Sequence, residues 1–195
     1  MQRRVVSLWF PRLASDRALR ARPVDGPFAL TLRHSNTDRL YCLNRGMSFS
    51  DARAFCPDLQ SRPADMPGDA GFLRALARWA TRYCPWVGLE GGDGLVLDVT
   101  GAVHLWGDEA RMLCDMRQRL ARAGLFVQSG LADTRGAAWA LAHYGEGCAA
   151  PGESLGAIAD LPVAALRLEA DTVVEYAILR AAQAPVLPAA LAAMC

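Results

Sequence analysis

One stretch, Trp86 to Gly101 (WVGLEGGDGLVLDVTG), constrains the fold more than any other. A short run to Glu90 meets Gly91-Gly92-Asp93-Gly94, a turn made of residues that tolerate positive φ, and Leu95 to Val99 then alternates apolar and polar positions. That pattern is a β-hairpin. Its turn holds up an acidic residue, Asp93, and the next question is what stands beside it.

Upstream, Arg4 to Phe10 (RVVSLWF) has strand length and ends at Pro11, and its lack of strict alternation implies burial on both faces. Arg12 to Arg22 reads as a helix closed by Pro23, Phe28 to Leu32 and Arg39 to Leu43 as short strands, and Ser48 as the cap of a helix through Phe55. Arg62 to Gly68 (RPADMPG) reads as a linker. Beyond it Phe72, Leu73, Leu76, Trp79, Ala80 and Tyr83 fall at helical spacing, with Arg74, Arg78 and Arg82 on another face. After the hairpin, Asp108 and Glu109 open a helix to Arg122 in which Leu113, Met116 and Leu120 face inward and Asp115 can pair with Arg111 and Arg119. Gly124 ends it, Leu125 to Leu131 is a strand, and Thr134 to His143 a further helix. Leu155 to Leu168 and Asp171 to Ala182 carry weaker helical patterns.

With Arg12 to Gly68 set aside, the order is strand, helix, strand, strand, helix, strand. This is the α+β, ferredoxin-like βαββαβ pattern with a small inserted subdomain, and it makes the first and third strands sheet neighbours. The end of Arg4 to Phe10 should then lie beside Asp93.

Composition narrows the chemistry. The net charge of +1 is too small for strong binding to phosphates, and all 21 basic residues are arginine, which excludes a P-loop or Schiff-base lysine. The 6 cysteines show no CxxC or Cys/His ligand spacing, which points to thiols in a reducing compartment. No apolar run reaches membrane-spanning length, and the N-terminal run is too short for a signal peptide, so a cytoplasmic location is expected. His34, His104 and His143 share no ligand spacing. Trp79, Trp86, Trp106 and Trp139 read as core or subdomain contacts.

Four segments, in order, resemble the Y-family (UmuC-like) translesion DNA polymerases. Leu13-Ala14-Ser15 resembles the FAS of their first motif, DxDxFFASVE. Gly46-Met47, Asp51-Ala52-Arg53-Ala54 and Cys56-Pro57-Asp58-Leu59 resemble their fingers segment, Leu97-Asp98-Val99-Thr100 matches the LDVT of their catalytic hairpin, and Ser129-Gly130-Leu131-Ala132 is like the SxGIA preceding NKxLAK. The resemblance implies a palm from residues 1–11 and 68–145, a fingers-like insertion at 12–67, and a truncated or diverged thumb-like tail at 146–195. Full members continue through a thumb, a little finger and a clamp-binding tail.

Departures from the family fall on its chemistry. Its two Mg²⁺ ions need several carboxylates. The first motif's acids fall on Leu8 and Phe10, the hairpin's Glu falls on Gly94, and Asp93 alone remains. The NKxLAK lysines fall on Arg135 and Trp139. This pattern resembles the ImuB subgroup, polymerase-like and lacking metal ligands, which implies an adaptor in damage-induced (SOS) mutagenesis and DNA repair, with no catalytic residues and no cofactor. The partners it implies are DNA, weakly, a sliding clamp, a RecA-like protein and a DnaE-type polymerase. An active nucleotidyltransferase using Mg²⁺ with Asp93 and Glu90 or Asp98 is the alternative, and a ferredoxin-like dimerisation domain without DNA is a third. Asp93 is either a vestigial metal position or a turn former, and Arg135 either a phosphate contact or an exposed arginine.

Overall fold

The computed structural model describes residues 2–41, 46–145 and 147–167. Asp171 to Ala182 lies outside them. In chain order the first elements are β1 (Val5–Trp9), α1 (Leu13–Ala21), β2 (Phe28–His34), β3 (Thr37–Leu40), α2 (Phe49–Phe55), β4 (Gln60–Pro63) and α3 (Met66–Ala80). Then come β5 (Trp86–Glu90), β6 (Gly94–Asp98), α4 (Glu109–Arg122), β7 (Gln128–Ala132), α5 (Arg135–Ala140), β8 (Gly147–Cys148) and α6 (Ser154–Ile158). A π-helical turn, Leu141–Gly145, continues α5, and a 3-10 turn, Val163–Leu166, follows α6.

The main sheet runs β5-β6-β1-β7-β8, so β1, α3, β5, β6, α4 and β7 realise the expected ferredoxin-like order. β1 pairs antiparallel with both β6 and β7 and is buried on both faces. Val6, Leu8 and Phe10 join Leu73, Leu95, Leu113 and Met116 in the core under α3 and α4. Val5 joins Ala132, Ala138 and Leu141 in a second cluster under α5. Leu8, Leu95, Leu97 and Leu131 are each 0% exposed, and burial of each stabilises the fold by roughly 1.5–3 kcal/mol.

The glycine of the Ser129-Gly130-Leu131-Ala132 stretch has a packing reason. A Cβ at Gly130 would lie 2.2 Å from the Ala138 carbonyl oxygen and 2.6 Å from the Ala142 nitrogen, so only glycine lets the helical turn rest on β7. Side chains cap the helices as expected: Ser48 Oγ accepts from Asp51 N at 3.1 Å, and Asp108 Oδ1 from Arg111 N at 2.7 Å.

Residues 28–63 form a second sheet, β3-β2-β4, with α2 against it. Here the expected linker Arg62 to Gly68 is corrected. Arg62 and Pro63 close β4, which pairs parallel with β2, and Met66 opens α3 under an Asp65 cap. Pro63 is tolerated because β4 is an edge strand, and Pro67 because it sits in the helix's first turn. Helix α1 spans both parts: Leu13 lies in the main core, Arg17 pairs with Asp69 of α3, and Arg62 of β4 donates to the Ala18 carbonyl. Two smaller expectations also change. Asp115 pairs with Arg119 and the Tyr83 hydroxyl, whereas Arg111 turns to Asp108; Trp86, on the edge strand, is 75% exposed.

A buried cation ties the residue ahead of β1 to α4 and to the segment that follows β7. Arg4, 5% exposed, donates to Glu109 at 2.6 Å, to Asp133 at 2.8 Å and to the Ala149 carbonyl at 2.6 Å. Asp133 in turn accepts from Ser154 Oγ and the Gly152 amide.

Candidate functional site

The last pair of the β1–β6 ladder sets Trp9 opposite Gly94, and the Phe10 amide donates to the Asp93 carbonyl at 2.8 Å. The end of the first strand therefore lies beside the hairpin tip, as its topology required. The pleat decides what each residue offers there. Leu8 and Phe10, 0% and 1% exposed, point into the core, whereas Trp9 points the other way and donates its indole N–H to Asp93 Oδ2 at 3.2 Å. Gly94 begins β6 and is not part of the turn, which comprises residues 91–93. A Cβ at Gly94 would come 2.9 Å from the Glu90 carbonyl oxygen and 3.3 Å from that of Leu8.

Above the strand end stands a column of flat groups. Trp9 and His143 stack with centroids 4.2 Å apart, His143 and Trp139 at 4.0 Å, and the Arg167 guanidinium lies 4.5 Å over Trp139. One turn of helix makes this possible, because Trp139 and His143 are four residues apart. His143 Nδ1 lies 2.9 Å from the Trp139 carbonyl; a carbonyl only accepts, so Nδ1 carries the proton. Burial lowers the imidazole pKa below its ordinary value despite that bond, which keeps the ring neutral at neutral pH.

Glu90, 4% exposed, is a buried acid of the site. It accepts from Arg135 Nε at 2.8 Å and from Arg167 Nη1 at 2.6 Å. Burial works to raise its pKa, but the two guanidinium groups outweigh it and hold the carboxyl below the usual range. Asp98 stands apart. It sits four residues along β6 from Gly94, roughly 13 Å at strand rise, where it accepts from the Thr100 amide and pairs with Arg3.

These groups border a cleft of about 710 Å³ whose lining includes Trp9, Tyr41, Asp69, Asp93, His143 and Arg167. The donors present do not fit a pair of Mg²⁺ ions. Asp93 is engaged by an indole, Glu90 by two arginines, and among the described residues no three His, Cys, Asp or Glu side chains gather as a metal-binding group.

The profile of the impB/mucB/samB family matches residues 27–143. The chain belongs to the impB/mucB/samB family. It is 51% identical over 125 residues to Protein ImuB of Caulobacter vibrioides (strain NA1000 / CB15N), a match over 63% of this chain and 27% of that protein. The chain thus spans about a quarter of the length of the curated relatives it matches. The fold resembles DinB from Sulfolobus solfataricus (TM-score 0.65, 16% identity, 77% of this chain and 49% of that one). It also resembles the post-insertion binary complex of Dbh DNA polymerase (TM-score 0.63, 16% identity, 71% of this chain and 45% of that one).

Within this impB/mucB/samB domain the structure brings Asp93, Glu90 and Arg135 to one end of the sheet and leaves Asp98 at the other. Arg135, whose side chain is 56% exposed, holds Glu90 with part of its guanidinium and shows the rest to solvent. Sequence reading passed over Trp9, Tyr41, Asp69 and Arg167, and set His143 aside for want of ligand spacing. The position of Trp9, between the two lost acid positions Leu8 and Phe10, and the four-residue step from Trp139 to His143 were legible signals. Nothing in the sequence pointed to Arg167.

Proposed function

We propose that this chain is the polymerase-like part of an accessory subunit in DNA repair and error-prone translesion synthesis, one that holds partners and does not join nucleotides. One observation carries the reading: where an acid-lined strand end would be needed, Leu8 and Phe10 are sealed in the core and Trp9 caps Asp93 with its indole. The similarity to Protein ImuB and the fold shared with polymerases supply the setting. In this reading residues 1–11 and 68–145 are the palm, 12–67 the fingers-like insertion and 146–195 a truncated or diverged thumb-like tail. Asp93 is a vestige of the metal site, and Arg135 offers a weak phosphate contact. The partners are DNA and the proteins of a mutagenesis complex, among them a sliding clamp, a RecA-like protein and a DnaE-type polymerase, in the cytoplasm. No helix among the described residues is long and apolar enough to cross a membrane.

Primer extension on primed template with Mg²⁺ or Mn²⁺ tests it. The expected result is no templated incorporation above a blank. Incorporation abolished by Asp93→Ala would instead favour a nucleotidyltransferase built on Asp93.

A further inference from the structure

Among the described residues, two carboxylates that border the cleft each keep an oxygen that no cation holds. Asp93 receives the Trp9 indole N–H on Oδ2, and among the described residues no cation pairs with it. Asp69 is 6% exposed and lines the same cleft; Arg17 Nε holds its Oδ1 at 2.6 Å, but its Oδ2 is buried without a hydrogen-bond partner. Asp69 Oδ2 is sealed off, whereas Asp93 is half-buried at the cleft wall and can meet a cationic donor from outside.

The other end of the aromatic column shows what satisfies such a place. There the Arg167 guanidinium lies over Trp139 and donates to Glu90. At the near end the same two ingredients recur, an indole (Trp9) and a carboxylate (Asp93), but among the described residues no guanidinium lies over Trp9. We propose that the cleft is a socket for one arginine side chain presented by a protein partner, its guanidinium lying on Trp9 and donating to Asp93. Charge favours this occupant over a nucleotide. Asp69 and Glu90 already have their arginines, so the uncompensated charge of the cleft is that of Asp93: a triphosphate would add negative charge beside it, whereas a guanidinium brings the missing positive one. Its flat, forked shape suits stacking and paired donation better than an ammonium does. The inference rests on the accessory reading above, since a cleft that held nucleotides and metal ions would be occupied during turnover.

The test is a titration of the 195-residue chain with the blocked tripeptide acetyl-Gly-Arg-Gly-amide, followed by NMR at the Trp9 indole N–H. Trp9→Phe identifies that resonance. The expected result is a saturable shift with a dissociation constant of about 1–10 mM, with acetyl-Gly-Gln-Gly-amide giving none. Asp93→Asn retains an acceptor for Trp9 and should weaken arginine binding about tenfold, while Asp58→Asn, on an exposed turn, should leave it unchanged. The proposal is overturned by equal shifts from the glutamine peptide, by no saturable shift up to about 50 mM, by an unchanged curve in Asp93→Asn, or by tighter binding of dATP with Mg²⁺ at the same resonance. A chain that extends no primer yet shows no arginine preference keeps the accessory function and loses only the socket.

Discussion

Trp9 donates its indole N–H to the Asp93 carboxylate across 3.2 Å, from the one residue of β1 that lines the cleft. Its neighbours Leu8 and Phe10 face the core, so the motif's acids cannot be restored by simple substitution. Leu8→Asp would place an unpaired carboxyl where nothing is exposed, at a loss of about 4 kcal/mol or more. Gly94→Glu would force a Cβ to within 2.9 Å of a backbone oxygen. The double variant should unfold at markedly lower urea concentration and gain no primer extension; wild-type stability together with templated synthesis would refute this.

Gly130 and Gly136 make opposite predictions on neighbouring elements. Alanine at 130 must displace the Ala138 carbonyl, and urea unfolding should show a loss of about 3 kcal/mol. Gly136 has nothing within 4 Å of its would-be Cβ and lies in α5, so alanine there should be neutral or stabilise by up to about 1 kcal/mol. Equal effects at the two positions would contradict the close approach of the helical turn to β7.

Arg4→Met keeps most of the side chain's volume and removes its charge. Glu109 and Asp133 would then face each other's surroundings without their shared cation, and the expected loss is roughly 3 kcal/mol in the urea midpoint analysis. The sign of the salt effect is a second check: added salt should change the wild type little, because Arg4 is buried, and should partly rescue the variant.

The topology was legible because it rests on periodicity: the hairpin, the two amphipathic helices and Gly124 each carry a local signal, and together they leave one sheet order. Arg62 to Gly68 was read as a longer linker than it is because its prolines mark an edge strand and a helix start, positions where their missing N–H is harmless. For the site, motif spacing located Asp93 and the absent acids. It did not reveal what fills their place, since Trp9, His143 and Arg167 meet only after β1, the π-helical turn and the segment following α6 are packed together, and no sequence interval encodes that meeting.

His143 gives the site a pH signature. Its folded pKa lies below the ordinary value of 6.5, with burial as the main cause, Asp93 and Glu90 pulling upward and Arg167 downward. Between the two values the unfolded chain binds more protons, so this contribution is complete above pH 6.5 and is lost as pH falls below it. Stability should decline by at most about 1.4 kcal/mol per pH unit in that window. His143→Phe, which keeps a flat ring in the column, should flatten the slope; an unchanged slope would place its origin elsewhere. Glu90, held low by its arginines, adds its own loss only as pH falls below the ordinary carboxyl value of 4.5.

The position of β1 in the middle of the main sheet also bears on synthesis. β1 is made before both of its hydrogen-bonded neighbours, at residues 94–98 and 128–132, and Arg4, just ahead of it, closes on Ala149. Until most of these residues have emerged, an apolar strand waits without either edge covered, and a chaperone that shelters such a nascent segment should raise the yield of native protein more than a slower rate of unfolding would.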